Sequence, residues 1–177
     1  INIPDKPNLR PSKAFIRETL FNVIDIGLCS SSLDLFSGSG ILSFEALSRG
    51  IKSATLIEND IDLVRSIKSN MSVLNIDGAS VIKSMVNKFL LSHDRGPYDI
   101  IFIDPPYNTY FLDETFQLLK NKNYLENNKY LYYEKSKKDK SEYEKYFNES
   151  HNIIKDLCIG DVLSLIHISE PTRPTWI

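Results

Sequence analysis

The sequence predicts an α/β fold, a mostly parallel sheet with helices on both faces. Three observations predict it. Short apolar runs alternate with stretches of helical periodicity along most of the chain, as in β–α–β units. The run Ile100-Ile101-Phe102-Ile103 has no polar interruption, so it reads as a strand buried on both faces. A glycine turn, Ser37-Gly38-Ser39-Gly40, lies between an apolar strand and a helical stretch. The 177 residues suffice for one domain with a sizeable core, and 42% hydrophobic with 25% charged residues is the balance of a soluble globular protein.

Each element has a local reason. Residues 1–11 hold three prolines and no periodicity, and read as extended chain. Residues 12–24 read as a helix, with Ser12 as cap and Phe15, Ile16, Thr19, Leu20, Val23 and Ile24 at helical spacing. Residues 32–36 form a strand, and 41–49 a helix ended by Gly50. Residues 53–57 are a second strand that ends in Glu58-Asn59-Asp60. Residues 61–74 carry Ile61, Val64, Ile67, Met71 and Leu74 on one helical face. A third strand is expected at 80–83, a short helix at 86–92, and the central strand at 100–103. A helix at 112–120, a strand at 129–134 and two closing strands at 152–157 and 161–168 complete the chain. The last two have no helix between them and read as an antiparallel hairpin. Residues 142–147 are too short and polar to assign.

The chemistry concentrates at three turns. Asp104-Pro105-Pro106-Tyr107 ends the central strand, and the prolines stiffen the turn. A carboxylate and a phenol are thereby held at the carboxyl edge of the sheet, where open α/β sheets bind ligands. Gly38 and Gly40 let backbone approach a ligand, with Asp34 and Phe36 just before them. Glu58 lies 20 residues after Gly38, where an acidic group meets ribose hydroxyls, and Asn59 follows it. A third glycine and a Gly-Lys-Ser/Thr sequence are missing, which argues against a dinucleotide or a triphosphate. A nucleoside-type ligand with a polar tail remains. Arg10, Lys13 and Arg17 form a basic cluster.

Other classes are disfavoured. A net charge of −2 announces no global basic field, although a local patch suffices for nucleic acid. Cys29 and Cys158 make neither a metal spacing nor a disulfide framework, so no metal and a reducing, cytoplasmic compartment are expected. No apolar run approaches the ~18 residues of a membrane span.

Asp34-Leu35-Phe36-Ser37-Gly38-Ser39-Gly40, Glu58 and Asp104-Pro105-Pro106-Tyr107, in this order, resemble the S-adenosylmethionine-dependent methyltransferases. Leu9-Arg10-Pro11, Arg17-Glu18-Thr19-Leu20-Phe21-Asn22 and Glu45-Ala46-Leu47-Ser48-Arg49-Gly50 are similar to the bacterial 16S rRNA guanine-N2 methyltransferase family (RsmD-like). The resemblance implies a Rossmann-like, seven-stranded sheet with its last strand antiparallel. It implies S-adenosyl-L-methionine as methyl donor and a guanine in small-subunit rRNA, free or in an assembly intermediate, as acceptor. Asp34, Phe36, Gly38, Gly40, Glu58 and Asn59 would hold the cofactor. Asp104, Pro105 and Pro106 would receive the target amine, and Tyr107 would stack on its base. Arg10, Lys13 and Arg17 would meet RNA phosphate. A monomer is expected.

Three departures stand out. The family's basic N-terminal hairpin would precede the point where this sequence begins, so the methyltransferase domain is assigned to residues 1–162. Met85 occupies the position where the family has Asp or Asn near the adenine, and a thioether cannot donate a hydrogen bond. From Leu163 to Arg173 the sequence resembles a translated sequencing-library adapter, so 163–177 is expected to be a non-native tail. Two other readings stay open: a DNA adenine-N6 or cytosine-N4 methyltransferase, since Asp-Pro-Pro-Tyr serves any exocyclic amine, and a non-catalytic module that binds the cofactor or RNA.

Overall fold

The computed structural model describes residues 11–93, 98–106, 109–126, 128–147 and 151–169, with the side chains of 11–13 and 109–110 outside that description. In chain order the elements are α1 (Pro11–Val23), β1 (Ser31–Asp34), α2 (Ile41–Ser48), β2 (Ser53–Glu58), α3 (Ile61–Val73), β3 (Ala79–Lys83), α4 (Val86–Ser92), β4 (Ile100–Ile103), α5 (Thr109–Asn121), β5 (Tyr130–Ser136), β6 (His151–Ile159) and β7 (Val162–Ser169). Single 3-10 turns occupy Ile26–Leu28 and Glu144–Tyr146. The strands form one sheet in the order β3-β2-β1-β4-β5-β7-β6. Strands β1 to β5 run parallel, and β7 is antiparallel to both of its neighbours. The fold expected from the sequence is the fold observed. Helix α1 begins at Pro11, one residue earlier than expected, because proline suits the first helical position.

Strand β4 sits mid-sheet, and all four of its residues are fully buried. Alternation sends its side chains to two cores. Ile100 and Phe102 pack with Tyr130, Tyr132 and Ile166 against Ile16, Leu20 and Phe21 of α1 and Ile24 just after it. Ile101 and Ile103 pack with Leu33, Leu131 and Tyr133 against Phe89 of α4 and Phe116 of α5. A third cluster, Phe44, Ala54, Leu56 and Ile67, fixes α2 and α3 on β2. No described helix is long and apolar enough to cross a membrane.

Strand β7 covers the edge of β5 and carries β6 on its other side. Residues 163–169 of the segment expected to be non-native therefore fill a place in the sheet, with Leu165 and Ile166 buried. His167 is buried as well, stacked on Tyr133 with ring centroids 5.6 Å apart. Neither of its ring nitrogens has a hydrogen-bond partner among the described residues. Burial pushes its pKa down to about 4, against an upward pull from Glu144 and a further downward push from His151. Folding thus holds this ring neutral where the unfolded chain would protonate it. Its contribution to stability is lost as pH falls from about 6.5 towards 4.

Asp99 fixes the amino ends of three strands. Its carboxylate accepts from the Ser30 and Ser31 amides at 2.7 and 3.2 Å and meets Lys129 Nζ at 3.0 Å. Its own carbonyl accepts from the Lys129 and Tyr130 amides. Asp99→Ala is expected to destabilise the fold by about 1–3 kcal/mol, because the Ser30 and Ser31 donors lose a charged acceptor. Urea unfolding with an unchanged midpoint would contradict this account.

Candidate active site

A cavity of about 540 Å³ opens at the carboxyl ends of β1, β2, β4 and β5. That volume is in the ~300–1,000 Å³ range of small-molecule and cofactor sites. Asp34, Phe36, Gly38, Glu58, Asn59, Asp104, Pro105 and Pro106 all line it.

The glycine turn is built by backbone geometry. The Ser37 amide donates to the Ile57 carbonyl at 3.0 Å, tying the end of β1 to β2. Gly38 and Gly40 have φ of +53° and +77°, where a side chain is strained. A Cβ on Gly40 would also meet Leu56 Cδ2 at 3.2 Å and the Phe44 ring at 3.3 Å. Gly40 does not itself line the cavity; it shapes the turn from behind.

Glu58 closes this turn. Its Oε2 accepts from the Gly38 amide at 2.8 Å, and its Oε1 from the Asn59 and Asp60 amides at 2.9 Å each. A carboxylate has roughly four acceptor positions. Three are taken here, so Glu58 is preorganised and keeps some capacity for a ligand donor.

Asp34 is the most unusual acid. It is 1% exposed, with Oδ2 accepting from the Ser43 hydroxyl at 3.0 Å. Its Oδ1 has no hydrogen-bond partner among the described residues. Burial pushes its pKa up to about 7, opposed by the Ser43 hydrogen bond and, least, by the Phe36 backbone amide, and reinforced by the nearby charges of Asp104 and Glu58. A buried acceptor left without a donor favours a ligand that brings one, and a cationic donor most of all.

Asp104 follows β4 and is half-buried on the cavity, with Pro105 buried and Pro106 exposed. Arg17 lines the cavity from α1, and its Nε lies 3.9 Å from Glu45 of α2. Tyr107 and Arg10 lie outside the described residues, as does the side chain of Lys13. Met85 reaches the cavity rim beside α4.

Among the lining residues not foreseen, two stand side by side on one strand. Tyr132 and Glu134 of β5 face the cavity, and the Tyr132 hydroxyl donates to Glu134 Oε1. The available signal was the acid at the end of the strand after the central one, but strand order had to be known to use it. No cluster of three or more metal-ligating side chains occurs among the described residues.

This sheet order, with a glycine turn after β1 and Asp-Pro-Pro after β4, is a Rossmann-like arrangement. The profile of the family described as "Conserved hypothetical protein 95" matches residues 1–156, and the chain belongs to that family. It is 40% identical to "Ribosomal RNA small subunit methyltransferase D" of Buchnera aphidicola (subspecies Acyrthosiphon pisum) over 78% of this chain and 73% of that protein. The protein of the same name from Escherichia coli K12 is 38% identical over 75% of this chain and 67% of its own length. The solved structure "Putative methyltransferase yhhF from Escherichia coli" superposes with a TM-score of 0.78 at 31% identity, covering 96% of this chain and 92% of that one.

The Asp34 environment generates a pH prediction. The folded state holds a proton that the unfolded chain releases near pH 3.8, so stability falls as pH rises from about 4 to about 7. Asp34→Asn is expected to remove this slope and to exceed the parent protein's stability by about 1–3 kcal/mol at pH 8. The opposite contribution of His167 is common to both proteins and cancels in the difference. Urea midpoints at pH 4.5 and 8 measure it; a pH-independent difference would show that Asp34 titrates normally.

Proposed function

We propose that this chain transfers a methyl group from S-adenosyl-L-methionine to the exocyclic N2 amine of a guanine in small-subunit rRNA. It acts as a cytoplasmic monomer on the RNA or on an assembly intermediate. The observation that carries this reading is the convergence of Asp104, the glycine turn, Glu58 and the partnerless Asp34 oxygen on one cavity. The "methyltransferase D" relatives named above support the choice of rRNA.

The lining residues fit that cofactor. Asp34 Oδ1 offers a buried acceptor to an ammonium group, and Glu58 offers its remaining acceptor capacity to ribose hydroxyls. Phe36 and Asn59 complete this wall. When bound, the cofactor supplies an electrophilic methyl on a sulfonium. Asp104 and the Pro105 carbonyl accept the two hydrogens of the target amine. That contact weakens delocalisation of the nitrogen lone pair into the ring and aims it for in-line attack. Most of the acceleration then comes from positioning and fixed charge. Tyr107 stacks on the extruded base and offsets part of its unstacking cost. Arg10, Lys13 and Arg17 bind RNA phosphate. Residues 163–177 are proposed as adapter-derived; the partnerless buried imidazole of His167 in β7 supports this, and a genomic read running unchanged past Thr172 would refute it.

The test is transfer of labelled methyl to small-subunit RNA, followed by nucleoside analysis. N2-methylguanosine is expected; N6-methyladenosine, or no transfer, would overturn the reading. Asp104→Ala is expected to lower single-turnover transfer by about 10²–10³-fold while cofactor affinity stays near the parent value, because the lost contact is strongest in the transition state. Transfer at the parent rate would reduce Asp-Pro-Pro to a strand-ending turn.

A further inference from the structure

The sheet sets a second carboxylate beside Asp104. Strands β4 and β5 are parallel, with Ile103 opposite Tyr133 as their last pair; continued one step, that register sets Asp104 level with Glu134. Adjacent strands lie ~4.8 Å apart, and residues in register share a face. Ile100 and Phe102 of β4, and Tyr130 and Tyr132 of β5, face α1. Asp104 and Glu134 continue these two rows onto the same face, and both line the cavity. Glu134 is 9% exposed, and Tyr132, 2% exposed, holds its Oε1 from two residues earlier on the strand. Burial, then the charges of Glu134 and Asp104, keep the Tyr132 phenol protonated well beyond its ordinary range, so it stays a donor. Glu134 is thereby held in one place by a rigid neighbour.

We propose that Glu134 selects guanine by accepting the ring N1–H, while Asp104 and the Pro105 carbonyl accept the hydrogens of the adjacent N2 amine. This rests on the methyl-transfer reading above and supplies what Asp-Pro-Pro lacks. Three bases carry an exocyclic amine. In adenine the amine is flanked by N1, and in cytosine by N3, both bare acceptors. In guanine the amine is flanked by an N1–H donor. Asp104 and a carbonyl accept from all three amines alike. A fixed carboxylate beside them makes a charge-assisted hydrogen bond to guanine and sets negative charge against a lone pair in the other two. Sites built to hydrogen-bond a substrate N–H reject analogues lacking it far more strongly than apolar pockets reject a change of size.

The experiment uses the full chain and begins by mapping the methylated nucleotide in small-subunit RNA. That RNA is then rebuilt by ligation with 2-aminopurine riboside at the mapped position. This base keeps the C2 amine, replaces N1–H with a lone pair and lacks the C6 carbonyl, so the change in ratio on Glu134→Gln is the readout that isolates N1. The parent protein is expected to methylate guanine about 10²-fold faster or more. Glu134→Gln is expected to slow guanine about 10–100-fold, the scale of one hydrogen bond to a charged group. Its amide can donate to the 2-aminopurine lone pair, so that rate should hold or rise and the ratio should collapse. Tyr132→Phe removes only the hydroxyl that fixes Glu134, should narrow the ratio partway, and serves alone if Glu134→Gln does not fold. A preserved ratio with both rates lowered would make Glu134 a structural residue and overturn the proposal. A parent product other than N2-methylguanosine would instead overturn the underlying reading, before any Glu134 variant is needed.

Discussion

The register of β4 between β1 and β5 governs the rest of the structure. A run of four large apolar residues is stable only in the middle of a covered sheet, where both faces are dry. Once β4 is there, alternation fixes the direction of every side chain at the strand ends. Asp34, Asp104 and Glu134 emerge at the same edge, on the face that α1 covers. Glu58 arrives at that edge as the last residue of β2, opposite Lys83 of β3. Burial above all, reinforced by the charges of Asp104 and Glu58 across the cavity, makes Asp34 hold its proton up to about pH 7. Such a cavity is electrostatically incomplete when empty and gains most from a ligand that carries positive charge.

Much of this was legible in the sequence because local chemistry and tertiary role agree. The apolar periodicity of α3, the unbroken run of β4 and the glycine-ended α2 each have one compatible structure, and each formed. The polar turns after β1, β2 and β4 were readable for the same reason, since the strands that carry them were unambiguous. The features that escaped depend on distant neighbours. Glu134 looks like any strand-ending acid until β5 is known to lie beside β4. The three amides around Glu58 come from two turns, Gly38 after β1 and Asn59 and Asp60 after β2, and their meeting cannot be inferred from spacing. Arg17 reads as one cation of a basic cluster, yet it sits near Glu45 because Ile16 of α1 and Ala46 of α2 share one core. Asp99 looks like the entry to a strand and is the clamp on three.

Glu58 also couples two tasks usually considered apart. One carboxylate both closes the glycine turn and faces the cavity. The shape of the turn and the acceptor presented to a ligand cannot vary independently. A change at Glu58 therefore acts on whatever the cavity holds through two routes, a lost acceptor and a loosened Gly38.

The position of β7 has a consequence for the order in which the molecule can be completed. Strand β6 precedes β7 in the chain but reaches the sheet only through it. During vectorial synthesis β6 emerges first and has no strand to pair with, while the outer edge of β5 stays open. The parallel half, β3-β2-β1-β4-β5, can assemble in advance, and closure waits for one late strand to slide between two others. Until β7 is in place, the outer edge of β5 is a ready template for intermolecular pairing.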